Sequence, residues 1–160
     1  MQKYPAAITG GLIAGLLTTA VMVAGRKSGV LTKTLDRDAV DWIDDMTGSR
    51  AVIGDTGTSI VEFVNHLGAS AAFAAALPTL RELAPSLSPV ALGTLYGTAL
   101  YAVNIGAIAP LLGITEGEVQ AGPRKAGERW AIHVLQAVAS AVIADRLSTQ
   151  GEDAGTTKLA

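Results

Sequence analysis

From Tyr4 to Gly25 the chain carries no charged residue, and the same holds from Leu83 to Thr115. Between Thr56 and Leu80 the one formal charge is Glu62, and a fourth apolar run, Trp130 to Ala144, lies between Arg129 and Asp145. A helix needs about 20 consecutive, mainly apolar residues to cross the hydrocarbon of a bilayer. The first three runs meet that length outright. The fourth meets it once Arg129 and Arg146 carry their charges to the two interfaces on their long stems. The pattern predicts an all-α fold, a four-helix transmembrane bundle. Composition agrees, since 16% of the 160 residues are charged where a soluble domain carries roughly 25%. Two competing readings fare worse. A secretory signal peptide would explain Lys3 and the run after Pro5, but its apolar stretch would be long and its cleavage site near Met22 and Ala24 poor. A soluble alanine-rich bundle needs a polar face on each helix, and none of the four runs has one.

The spans fall at about 5–25, 59–77, 89–112 and 123–146, in one transmembrane domain covering 1–147. Pro5 suits a first helical turn. Ser59 and Glu62 form an S-x-x-E capping box that opens the second span. Pro110 kinks or ends the third, and Pro123 opens the fourth. The first loop, 26–57, is the longest polar stretch. Within it Leu35, Ala39, Trp42, Ile43 and Met46 recur at helical spacing opposite Asp38, Asp41 and Asp45, which predicts an amphipathic helix over about 35–46 that stops at Gly48. Its acidic face disfavours anionic lipid. Trp42 can anchor it at the headgroups, or it packs on the loop side of the bundle or on a partner protein. Residues 148–160 read as a disordered tail. Of the 12 lysines and arginines, Arg26, Lys27, Lys33, Arg37, Arg50, Arg124, Lys125 and Arg129 fall on the side of loops 1 and 3, against Lys3, Arg81, Arg146 and Lys158 on the other. This imbalance puts loops 1 and 3 in the cytoplasm and both termini outside.

The two halves resemble each other. GLIAGLLTTAV from Gly11 parallels GTLYGTALYAV from Gly93, and HLGASAA from His66 parallels HVLQAVA from His133, as two repeated helix pairs would. Gly11/Gly15 and Gly93/Gly97 are G-x-x-x-G pairs. They read either as an oligomer interface or as the contact between the first and third spans within one chain.

His66 and His133 open spans that run in the same direction, so they sit at similar depth. Glu62 shares a face with His66, one helical turn away. Arg129, His133, Gln136 and Ser140 form one stripe, and Asn104 and Thr18 or Thr19 reach the same layer. Polar groups in a bilayer turn inward and find partners. The plain expectation is a layer of interhelical hydrogen bonds around His66, His133, Glu62, Asn104 and Gln136. The sharper alternatives are proton handling and haem or metal ligation by the two imidazoles with Glu62 as a third donor, a set too small to define a metal site. With no cysteine, thiolate chemistry and Fe–S clusters are excluded. A formal net charge of −2 offers nothing to nucleic acid. Asp55-Thr56-Gly57-Thr58 spells the D-T-G-T of aspartic proteases, but that chemistry needs two such carboxylates on β-loops. The Asp36–Asp45 run lacks the glycine and glutamate of a calcium loop. No sequence pattern indicates an enzyme.

HLGASAAFAAAL from His66, GTLYGTALYAVNIGAIAPLLGI from Gly93 and RKAGERWAIHVLQAVASAVIADRL from Arg124 resemble the YagU-like small bacterial inner-membrane proteins. The resemblance covers about 61–147 and rests on His66, Tyr96, Gly97, Pro110 and His133. Where that family has a glycine-rich run after the second histidine, this chain has Gln136, Ala137 and Ala139. The resemblance implies a multi-pass location in the bacterial inner membrane, with a link to acid stress in one branch, and no reaction. The expected function is a structural, accessory or stress-related role, with the lipid bilayer and a second copy or another membrane protein as partners and no defined cofactor. The alternatives are proton or small-solute transport, and haem or metal binding through His66 and His133.

Overall fold

The computed structural model of the chain describes residues 3–156, with side chains through Thr149. Among these residues every regular element is helical. Helix α1 (Lys3–Lys27) is followed by α2 (Leu35–Thr47), α3 (Ser49–Ala74), a short α4 (Leu77–Leu83) and α5 (Pro89–Val103). A π-helical segment, Asn104–Ile108, leads into the single turn α6 (Ala109–Leu111), and α7 (Glu118–Thr156) ends the described chain. Four stretches are long and apolar enough to cross a membrane: Lys3–Lys27, Ser49–Leu83, Pro89–Leu111 and Glu118–Thr149.

The interior is made of small side chains. Ala6, Ala7, Ala14, Ala74, Ala137, Ala141 and Ala144 are buried, whereas Leu16 and Leu17 of α1 are 51% and 53% exposed. A bundle in water would place the leucines inside and leave the alanines at the periphery. In lipid no hydrophobic force distinguishes inside from outside, so close approach of small residues decides which faces meet. The glycines of α1 and α5 carry that approach further. Gly11 lies on Ser70 and Ala74 of α3, and Gly15 on Leu67 and Ser70; Gly93 lies on Ala137 and Val138 of α7, and Gly97 on His133, Val134 and Ala137. His66 and His133 occupy matching places, so Leu67 matches Val134 and Ser70 matches Ala137. The pairs α1–α3 and α5–α7 are therefore packed in the same register. Neither expectation for these glycines holds: their backbones face a helix of the same chain, and that helix belongs to their own pair, not to the other glycine-bearing span.

The pairs join through α1 and α7, where Gly10 sits against Ser140 and Ala144. The opposite seam is different. α3 and α5 scarcely touch, and the Tyr96 hydroxyl, donating to the Phe73 carbonyl at 2.8 Å, bridges them. The bundle is thus a ring open on one side.

Several local expectations change. The second span does not open at Ser59: α3 begins at Ser49 and bends at Gly54, where φ is 68° and ψ is 178°, a conformation open to glycine and strained for other residues. Ser59 lies inside the resumed helix and caps nothing, so the D-T-G-T residues form its first turn. Glu62 instead faces Arg26 at 3.4 Å and Arg37 at 3.6 Å. Arg129 does not reach for an interface. It is 6% exposed, held by Glu118 at 2.7 Å and Asp38 at 2.9 Å. The fourth helix starts at Glu118, bends at Gly122 (φ 82°) and resumes at Pro123. It continues through Thr156, so the expected disordered tail is helical over 148–156; residues 157–160 lie outside the described residues. At Pro110 the third span is neither simply kinked nor ended. Proline has no N–H and its ring crowds the carbonyl four residues back, and the preceding turn widens to π geometry, with the Ala109 N–H reaching the Asn104 carbonyl.

Candidate functional site

The α2 helix forms at the expected place, and its carboxylates serve the bundle. Its first turn, with the preceding residues Leu31–Thr34, roofs the loop-side end of the ring. Lys33 bridges Asp38 at 2.9 Å and Asp41 at 2.8 Å, and Arg50 bonds Asp41 from the start of α3. Burial alone would push the Asp41 carboxyl up. The hydrogen bonds from Lys33 and Arg50 and the nearby charges of Lys33 and Arg37 outweigh it and hold the group at about 2. Ile43 and Met46, at the far end of α2, stay 40% and 66% exposed, an apolar edge suited to the headgroup boundary.

Below this roof lies a cavity of about 290 Å³ among α1, α3, α5 and α7. Its loop-side end is polar, with Asp36, His66, Asn104, Arg129, His133 and Gln136. Its deeper end is apolar, formed by Phe73, Leu77 and Tyr96, and Leu100 adds an apolar wall near the level of His133. The two histidines, Asn104 and Gln136 are thus gathered as the sequence predicts. Glu62 is not among the lining residues; its carboxylate turns to Arg26 and Arg37.

The two imidazoles do different jobs. His66 Nδ1 lies 3.0 Å from the Asp36 carboxylate, and its Nε2 lies 3.2 Å from both Thr18 Oγ1 and the Gly15 carbonyl. Thr18 is fully buried and donates to Gln136 Oε1, while Gln136 Nε2 donates to the Gly11 carbonyl at 3.3 Å. This line of bonds ties α2, α3, α1 and α7 together and ends at the Gly11 carbonyl and the Ser140 hydroxyl, so it does not reach His133. Both His66 nitrogens are occupied. His133 Nδ1 bonds its own-helix Arg129 carbonyl at 2.8 Å, and its ring stands edge-on to Tyr101 with centroids 6.0 Å apart. A carbonyl only accepts, so Nδ1 carries the proton, and in the neutral ring this leaves the lone pair on Nε2. No protein group among the described residues bonds that atom.

A metal or haem held between the imidazoles does not fit this arrangement. His66 would have to give up Asp36 or Thr18 to become a ligand. Among the described residues no three His, Asp or Glu side chains converge as a metal site. The site residues that sequence reasoning missed are the acidic ones: Asp36, Asp38 and Glu118. A signal for them existed, because an arginine at a membrane-helix start demands a carboxylate, but nothing in the spacing says which one answers.

Four helices long and apolar enough to cross a membrane mark the chain as a membrane protein. No protein-family model, no curated protein and no solved structure matches it.

Proposed function

We propose that this chain is a non-enzymatic, multi-pass protein of the bacterial inner membrane, YagU-like in its sequence features, that holds and passes on a small solute within its bundle. The observation that carries the reading is the cavity of about 290 Å³ between the two imidazoles and the apolar floor. Protein interiors are close-packed, and voids larger than a water molecule are few. A purely structural hydrogen-bonded layer would draw its polar groups together; here His133 and Asn104 border open space instead. Ligand pockets share this build, mostly apolar with a few placed polar groups, at volumes from about 300 Å³. The excess of lysine and arginine in loops 1 and 3 supports a cytoplasmic position for α2 and the polar end of the cavity.

The test is native mass spectrometry of the protein released from lipid nanodiscs prepared from its host membrane. Wild-type protein carries a small-molecule adduct that Leu100→Trp, which fills the cavity from its wall, does not. A wild-type spectrum free of adducts, unchanged after incubation with a panel of small apolar and amphiphilic solutes, overturns the reading.

A further inference from the structure

The walls of this cavity also restrict the chemistry of what enters it; the argument rests on the reading that the cavity is a binding site. Every formal charge along its lining already has a partner. Lys33 pairs with Asp38 and Asp41, Glu128 with Arg124, and Arg129 with Asp38 and Glu118, while the Asp36 carboxylate is occupied by the hydrogen bond to the His66 ring at 3.0 Å. A charged ligand would find no counter-charge there, and an uncompensated ion in low dielectric is expensive. The occupant is therefore neutral. It needs one donor, because neutral His133 offers the lone pair of Nε2 while its Nδ1–H is spent on the Arg129 carbonyl. The Asn104 amide, with no side-chain hydrogen bond among the described residues, borders the same space. It needs an apolar body, because Phe73, Leu77 and Tyr96 make the floor and Leu100 lines the wall.

Size and access narrow the class further. At roughly 30 Å³ per separate water-sized molecule, the cavity of about 290 Å³ holds about ten of them, and somewhat more atoms when these are bonded to one another and so sit closer. The seam between α3 and α5, bridged by the Tyr96 hydroxyl on the Phe73 carbonyl, opens toward the lipid side of the ring. Beside it Phe73 is 40% exposed. An apolar molecule dissolved in the bilayer can slide through this seam without passing the ion-paired roof. The π turn at Asn104–Ile108 sits on the same wall and shapes it, in keeping with the frequent placement of π-bulges at functional sites.

We infer that the cavity takes a neutral, lipid-phase amphiphile with a hydroxyl head, an alcohol or phenol of about ten to fifteen non-hydrogen atoms, whose O–H donates to His133 Nε2 while its apolar body rests on the α3–α5 floor.

The test uses the full chain in phosphatidylcholine nanodiscs and three probes of matched body: 4-hexylphenol, hexylbenzene and 4-hexylbenzoate. Native mass spectrometry counts bound probe per chain over a concentration series, against Leu100→Trp as the filled-cavity control. The expected result is an affinity for 4-hexylphenol about ten-fold above that for hexylbenzene, the worth of one well-made hydrogen bond, and no saturable binding of the benzoate. His133→Phe keeps an aromatic ring and erases the preference for the phenol while hexylbenzene binding stays; His133→Gln, which retains an acceptor, restores part of it. Equal binding of phenol and hexylbenzene by the wild type, or a preference that survives His133→Phe, overturns the headgroup assignment and leaves the cavity as a binding site. Tighter binding of the benzoate overturns the neutral-ligand argument. No saturable binding of any probe overturns both.

Discussion

A methyl group added at Gly93 is the sharpest test of how this bundle is held together. A Cβ built there lies 2.5 Å from the Val138 Cα and 2.8 Å from the Val138 nitrogen. Both are backbone atoms of the facing helix, so no rotamer change relieves the overlap. Ordinary carbon–carbon contact begins at about 3.5 Å, and 3.5 minus 2.5 leaves about 1 Å by which α5 must back away from α7. A gap of that size forfeits roughly a quarter to a half of each dispersion well along the contact, and overpacking of this kind costs about 1–3 kcal/mol. Against it stands the gain of about 1 kcal/mol from replacing glycine by alanine in a helix. Gly93→Ala therefore destabilises by up to about 2 kcal/mol net. Gly11→Ala, whose Cβ would lie 2.5 Å from the Ser70 carbonyl oxygen, does the same in the other pair. Gly68 and Gly127, also helical, have nothing within 4 Å of an added Cβ, and their alanine variants gain up to about 1 kcal/mol. Thermal unfolding of the four variants in one detergent, followed by circular dichroism, separates the two classes by about 1–3 kcal/mol, the overpacking cost alone. If Gly93→Ala and Gly11→Ala melt at or above the wild type while folded as it is, the paired packing described here is wrong.

Other consequences are simpler to state. Arg129→Met leaves Glu118 at the bundle mouth without a cation and Asp38 with Lys33 alone, and losing one partner of a buried pair costs about 3–5 kcal/mol; denaturant unfolding in detergent should show that loss, and a change under 1 kcal/mol would argue that water reaches the site freely. Thr18→Val removes the hydroxyl between His66 and Gln136 and should cost about 1–3 kcal/mol, with Thr18→Ser close to wild type; an equal loss in both variants would point to shape and not the hydroxyl. The Asp41 carboxyl, held at about 2 against an ordinary 3.8, stabilises the docked α2 in its charged form. Because the folded value is the lower one, that stabilisation is complete above pH of about 4 and falls away between about 4 and 2. Hydrogen exchange along α2 should stay protected at pH 5 and rise only in that window in the wild type. In Asp41→Asn the protection is already reduced at pH 7, and the step between about 4 and 2 is smaller.

The class of fold was legible because lipid imposes a coarse, one-dimensional requirement: enough apolar residues in a row to span the hydrocarbon, which the runs after Tyr4 and Leu83 satisfy on inspection. The α2 helix was legible for the same reason, its period of apolar residues being local. The likeness of the two halves could also be read along the chain, since a shared ancestor or a shared packing need leaves similar strings. The glycine contacts were not legible. G-x-x-x-G says that a backbone will be approached closely, but which helix approaches depends on the order in which four helices close a ring, and each glycine chose the partner within its own pair. Nor did the sequence say that the ring stays open between α3 and α5, since a cavity is the absence of contacts and has no string of its own.

What the sequence by itself determined was the number of spans, the inward turn of the scarce polar residues, and the gathering of His66, His133, Asn104 and Gln136 near one end. What only the tertiary structure decided was the division of labour between the two histidines. Asp36 and Thr18 claim both nitrogens of His66, whereas the Arg129 carbonyl claims one nitrogen of His133 and leaves the other beside open space. Both residues lie about three turns past a glycine bend and lead similar apolar strings, so nothing local distinguishes them. The difference comes from α2, whose Asp36 carboxylate reaches His66 while its Asp38 carboxylate is taken by Arg129 of the second pair, so His133 receives none.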